Sequence, residues 1–162
     1  MNIRSIAALF LVTPLSGVAS AEMLLERKLP TSIAAEIAQY AVQICAADGY
    51  SVSASVVDKS GAFLALTRSD NAAPHTVESS RRKAFTALSM GQTTTQVVAY
   101  IQKNPASAQL AAIDGFLMLG GGVPIAVGGE LIAAVGVGGA PGGDLDEACA
   151  VKAIERVQAR LK

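Results

Sequence analysis

Two tight turns dictate antiparallel strand pairing in this chain, and they constrain its fold more than any other feature. Over residues 51–57 polar and apolar side chains alternate, the period of a strand with two unlike faces. Asp58-Lys59-Ser60-Gly61 is a turn sequence, and residues 62–68 return as a second strand. Farther on, residues 123–127 and 131–137 are apolar runs joined through Gly128-Gly129-Glu130. Strands joined by so few residues pair antiparallel, because a parallel pair needs a crossover of about a dozen residues or more.

Helical periodicity fills the remaining stretches. Ile33, Ile37, Tyr40, Ala41 and Ile44 recur at three- and four-residue spacing after Pro30, and Asp48-Gly49 ends that face. Residues 76–90 predict a second helix, carrying Arg81-Arg82-Lys83. Thr93-Thr94-Thr95 can cap a short third helix reaching about Gln102, and residues 106–113 predict another turn or two after Asn104-Pro105. A final helix begins near Asp144, where Asp144 and Glu147 have the spacing of a capping box. With residues 116–119 taken as one more strand, the expectation is an α+β fold: an antiparallel five-stranded sheet with flanking helices.

The N-terminus predicts export. Met1 to Arg4 carries one positive charge, Ile6 to Val12 is the apolar centre, and Ala19-Ser20-Ala21 is a small-x-small cleavage site. The apolar run is short of the roughly 20 residues of a spanning helix, and Pro14, Ser16 and Gly17 break it. Residues 1–21 are thus expected to be a signal peptide, and residues 22–162 a single domain that is periplasmic or secreted, with no membrane attachment after cleavage. Removal of Arg4 leaves 12 basic against 13 acidic residues. That balance, with no basic tract and few aromatics, argues against a nucleic-acid partner.

Cys45 and Cys149 lie on predicted helices at opposite ends of the domain. Export allows them to form a disulfide, while the plainer alternative is two buried thiols acting as small hydrophobes. Neither has the neighbours for a zinc site. No Gly-x-Ser-x-Gly, paired-carboxylate or His/Cys metal signature is present, which argues for a binding protein over a conventional enzyme and leaves no catalytic residue to name. The glycine segments around residues 120–122 and 138–143 read as turn and packing positions, because no Lys-Ser/Thr follows them and Asp144, Asp146 and Glu147 would repel a phosphate.

Four blocks occur in order along the chain. They are Val56-Val57-Asp58 with Gly61, Leu64, Arg68 and Asp70; His75-Thr76 with Arg82-Lys83-Ala84 and Thr86-Ala87; Gly120-Gly121-Gly122-Val123-Pro124-Ile125; and Gly136-Val137-Gly138-Gly139-Ala140 leading to Asp146-Glu147 and Cys149-Ala150. Together they resemble the GlcG/HbpS family of haem-binding proteins, related to the C-terminal domain of PduO-type proteins, over about residues 30–161. The resemblance implies a profilin-like or PAS-like sandwich, assembly as a homo-oligomer, and haem as the ligand, held for capture, buffering, sensing or slow degradation. One departure is Gly138, where the family pattern leads one to expect Ser or another small polar residue.

His75 is the one histidine of the chain. An imidazole in a loop entering a helix can present itself to haem iron, while a surface or helix-cap histidine needs no ligand at all. His75 is therefore the candidate metal ligand. Arg68, Arg82 and Lys83 are the candidate partners of the haem propionates, against the ordinary reading of a solvated helix face. Two other functions stay open: a binding domain or accessory enzyme for a small organic acid or aldehyde, and a structural oligomer without a ligand.

Overall fold

The computed structural model describes residues 23–162; the expected signal peptide lies outside the described residues. The elements in order are α1 (Thr31–Ala47), β1 (Ser53–Asp58), β2 (Phe63–Arg68), α2 (Thr76–Met90), α3 (Thr94–Lys103), a 3-10 helix (Pro105–Ala112), β3 (Gly122–Val127), β4 (Glu130–Gly138), α4 (Gly143–Val157) and a short 3-10 turn (Gln158–Arg160). The strands form one antiparallel sheet in the order β2-β1-β4-β3. Among the described residues no helix is long and apolar enough to cross a membrane.

The strand period separates the two faces. Ala54 and Val56 of β1, with Val135 and Val137 of β4 and Ile125 of β3, pack against Ala34, Ile37 and Ala41 of α1 and Ala150 and Ala153 of α4. The Cys45–Cys149 disulfide joins those two helices, so the second reading of the cysteines, as free thiols, falls away. The opposite face carries α2, through Val57, Ala134, Ala84 and Ala87.

The α2 face is unusual in being polar and glycine-rich. Ser53 and Ser55 are fully buried and share 2.7 Å hydrogen bonds with Thr76 and Ser80 of α2. The alternating polar side of β1, one of the two unlike faces read from the sequence, is therefore a buried interface with α2. The helix lies so near the sheet that a Cβ at Gly136 would stand 2.1 Å from the Ser80 carbonyl oxygen, and one at Gly122 would stand 2.2 Å from that of Lys83. Any larger residue there would lift α2 off the sheet. These glycines are packing positions, as their sequence context suggested.

Two local expectations are corrected. Residues 116–119 are not a strand, and the sheet has four strands. Their apolar character serves a loop laid on the outer side of α2. The Leu117 N–H donates to Thr86 Oγ1 at 2.9 Å, the Phe116 carbonyl accepts from Arg82, and the Phe116 ring meets Phe85 edge-on at 6.1 Å. The α4 capping box does not form either: the N-cap is Gly142, with no side-chain cap bond, and Asp144 and Asp146 sit inside the first turn. At α3 the hydroxyl does cap, with Thr93 Oγ1 accepting from the Gln96 N–H and Gln96 Oε1 accepting from the Thr93 N–H.

Candidate functional site

His75 occupies the N-cap position of α2 and is exposed, and its side chain makes no capping hydrogen bond. What holds it in place is the backbone around it. The loop leaving β2 is pinned at its start, where the Ser69 N–H and hydroxyl both donate to the Val52 carbonyl at 3.0 Å. The Arg68 guanidinium crosses the loop to donate to the Ala72 carbonyl. At the far end the Thr76 hydroxyl donates to Ala73 at 2.7 Å, and the Ser79 N–H closes the first helical turn on the His75 carbonyl at 2.9 Å. The loop is short and bonded at both ends, so the imidazole faces solvent from a fixed backbone.

The expected cations divide sharply. Arg68 is exposed on an edge strand and gives one N–H to the loop that carries His75. Arg82 donates through Nη2 to the Phe116 carbonyl, and its buried Nε–H has no partner among the described residues. Arg81 is bound twice by Glu78 on its own helix, at 3.0 and 2.8 Å. That pairing holds the Glu78 carboxyl below and the Arg81 guanidinium above their ordinary ranges.

Lys83 belongs to a different centre. Its side chain passes under α2, where Nζ lies 2.7 Å from Asp146 Oδ2 and donates to the Val137 carbonyl at 3.0 Å. Asp146 also accepts from the Ala140 N–H at 3.0 Å. Burial pushes the Asp146 carboxyl above its ordinary range, and the Lys83 ammonium and the N–H groups of Ala140 and Gly139 pull it back part of the way. A Cβ at Gly121 would come within 2.7 Å of the Asp146 Cβ, so glycine there leaves room for this pair. Sequence reasoning placed Asp146 only as an acid near a helix start. Its partner is 63 positions away, and the one hint was a helix-borne Lys flanked by Ala and Thr residues of a buried face.

Gly138 receives a physical account as well. A Cβ there would meet Ser79 Oγ at 2.5 Å, so the space that a side chain at 138 would enter is filled by a hydroxyl from α2.

The donor set can be tested against an iron porphyrin. The imidazole of His75 would serve as a nitrogen ligand to the iron by chemistry and access. Arg68, exposed, fits a carboxylate partner by charge and hydrogen-bond capacity; Arg82 fits by charge, with its Nε–H buried and Nη2 given to Phe116, whereas Lys83 Nζ is already committed. Among the described residues no cluster of three His, Cys, Asp or Glu side chains could hold a bare metal ion.

Comparison with known proteins places these features in a family. Residues 29–155 match the family model described as haem degrading protein HbpS-like. Protein GlcG of Escherichia coli K12 is 39% identical over 90 residues, 56% of this chain and 66% of that protein, so the aligned stretch spans just under two thirds of this relative. The crystal structure of a double mutant of Streptomyces reticuli HbpS superposes with a TM-score of 0.79 at 35% identity, covering 93% of this chain and 99% of that one. A crystal structure of a PduOC–haem complex gives a TM-score of 0.73 at 24% identity, over 80% of this chain and 94% of that one, a likeness of fold. By the extent of the family match and of the HbpS superposition, this chain belongs to the HbpS-like family.

Proposed function

We propose that this protein is an exported haem-binding protein that captures, buffers or senses haem, with His75 as the iron ligand. The observation that carries the reading is the exposure of the chain's one imidazole on a loop bonded at both ends. Membership of a family described by haem degradation supports the ligand class, and the HbpS likeness supports it further. Arg68 and Arg82 are the propionate partners in this reading, and Lys83, bound to Asp146 and Val137, is not among them. The signal-like pattern of residues 1–21 supports export to the periplasm or beyond. So does the Cys45–Cys149 disulfide, a bond that cytosolic reductants keep rare. Assembly as a homo-oligomer is part of the same proposal; edge strand β2 leaves Phe63 and Leu66 half exposed, a surface that a second copy can cover.

Titration with haemin, followed at the Soret band, tests the reading. The wild type shows a saturable spectral shift, and His75→Ala weakens it at least tenfold. No saturable change in the wild type would sink haem binding; an unchanged titration in the variant would remove His75 from the iron and leave haem binding standing.

A second reading, binding of a small organic acid, draws on the exposed Arg68 guanidinium, of which one N–H is committed to Ala72. A thermal-shift panel of small carboxylates tests it: a true ligand raises the melting temperature with concentration, and a flat panel counts against it.

A further inference from the structure

At the opposite end of α2 from His75, about 22 Å away at 1.5 Å per helical residue, Met90 and Gln92 border a cavity of about 570 Å³. Val97 and Tyr100 of α3 line it, with Leu110 and Ile113 from the 3-10 helix and the residue after it. This volume falls within the range of small-molecule sites, roughly 300–1,000 Å³.

Two observations point to an occupant. The first is the apolar surface left without cover: Tyr100 is 49% and Ile113 46% exposed, although both line the cavity. The second is the wall itself. Pro105–Ala112 is an eight-residue 3-10 helix, a length rare for that geometry, and none of its side chains is buried. This element contributes no side chain to the buried core, yet sets Leu110 in the wall of a cavity.

The geometry points to this cavity as a second ligand site, for a neutral and mainly apolar small molecule carrying one hydroxyl, carbonyl or N–H group. Neutrality follows from the lining, in which every side chain is uncharged. An ion placed there would lose hydration and gain no counter-charge. The hydrogen-bonding end follows from Gln92, Gln109 and the Tyr100 and Ser107 hydroxyls, which are the polar side chains of the lining able to fix an orientation. The site is independent of the haem reading, since it shares no residue with the His75 loop.

N-phenyl-1-naphthylamine, a neutral fluorophore with one N–H, is the probe. The purified protein gives a saturable rise in its emission, and binds it at least tenfold tighter than 8-anilinonaphthalene-1-sulfonate, the same ring system carrying an anion. Leu110→Glu, which adds a charge to the wall, and Ile113→Trp, which fills the cavity, each weaken the probe at least tenfold. Both positions lie outside the buried core, so circular dichroism stays native. Haemin titration of Leu110→Glu matches the wild type. The assignment is overturned if the wild type shows no saturable response, if the sulfonate binds equally well, or if both variants bind the probe unchanged. Competition between haemin and the probe would overturn its separation from the haem site.

Discussion

Lys83 on α2 and Asp146 on α4 form an ion pair across the end of the sheet, Nζ to Oδ2 at 2.7 Å, with both side chains no more than 5% exposed. The two helices belong to opposite faces, so the pair reaches around the sheet where Gly121 and Val137 meet. Desolvating two charges costs several kcal/mol, and their attraction recovers this only while both are present. Lys83→Met and Asp146→Leu alone are each expected to destabilise by about 3–5 kcal/mol. The double variant is expected to recover at least half of the summed loss, because no buried charge remains. Urea unfolding of the three variants measures this; additive single losses would show that the pair is uncoupled.

Gly136 sets how near α2 can lie. Its added Cβ would stand 2.1 Å from one backbone atom of α2 and 2.5 Å from another, neither of which can swing aside as a side chain end would. Gly136→Ala is expected to cost about 3 kcal/mol or more, or to prevent folding. Gly129→Ala is the control, with φ +83 but nothing within 4 Å of the added Cβ, and costs about 1 kcal/mol from backbone strain alone. Equal losses at the two positions would mean that α2 is free to shift.

Much of the fold was legible because its information is local. The alternation in β1, the turn at Asp58 to Gly61 and the periodicity of α2 are each contained in a window of a dozen residues or so, and α2 runs from Thr76 to Met90 as expected. The errors arose where a local pattern met a distant partner. Residues 116–119 have strand-like composition, but Arg82, Phe85 and Thr86 of α2 claim them. Asp144 has the spacing of a cap, but Gly142 already starts the helix where Gly143 abuts Gly120, leaving Asp144 within the first turn. The site was legible only in part for the same reason. The exposure of His75 follows from its loop, whereas the burial of Lys83 depends on Asp146, and nothing in sequence spacing joins the two. The Cys45–Cys149 bond was likewise chemically permitted, yet undecidable until α1 and α4 were seen side by side.

That disulfide closes a long segment of chain, its cysteines being 104 residues apart. A cross-link over so long a loop removes conformational freedom chiefly from the unfolded chain, worth about 4–5 kcal/mol in the loop-entropy model. Replacing both cysteines with Ala is expected to lower unfolding stability by about 2–5 kcal/mol. Both sulfur-bearing residues are buried, so a mild reductant should act on the native protein only at the rate of its opening. Mass spectrometry of alkylated protein, with and without urea, reads this directly. Rapid alkylation of the native protein would contradict it.

Asp58 makes the β1–β2 turn pH-sensitive. Its Oδ1 accepts from the Ser60 N–H at 2.8 Å, the Ser60 hydroxyl at 2.6 Å and the Ala62 N–H at 3.0 Å. These donors, the Ser60 hydroxyl foremost, hold the carboxyl below its ordinary range against the opposing effect of burial. A carboxyl whose folded pKa is lowered adds stability above its unfolded value of about 3.9, and that stability fades as pH falls through the folded value. Asp58→Ala should therefore cost about 1 kcal/mol at pH 7, the scale of one net hydrogen bond at a largely exposed site. The gap to the wild type should close as pH falls through the lowered folded value and the wild-type carboxyl takes up its proton. Asp58→Asn keeps an acceptor oxygen without a titrating group, so its smaller deficit should also shrink over the same interval, while its own stability shows no Asp58 titration. Urea unfolding at a series of pH values compares the three. A deficit in Asp58→Ala that stayed constant from pH 7 to pH 2.5 would show that the turn does not depend on the charge.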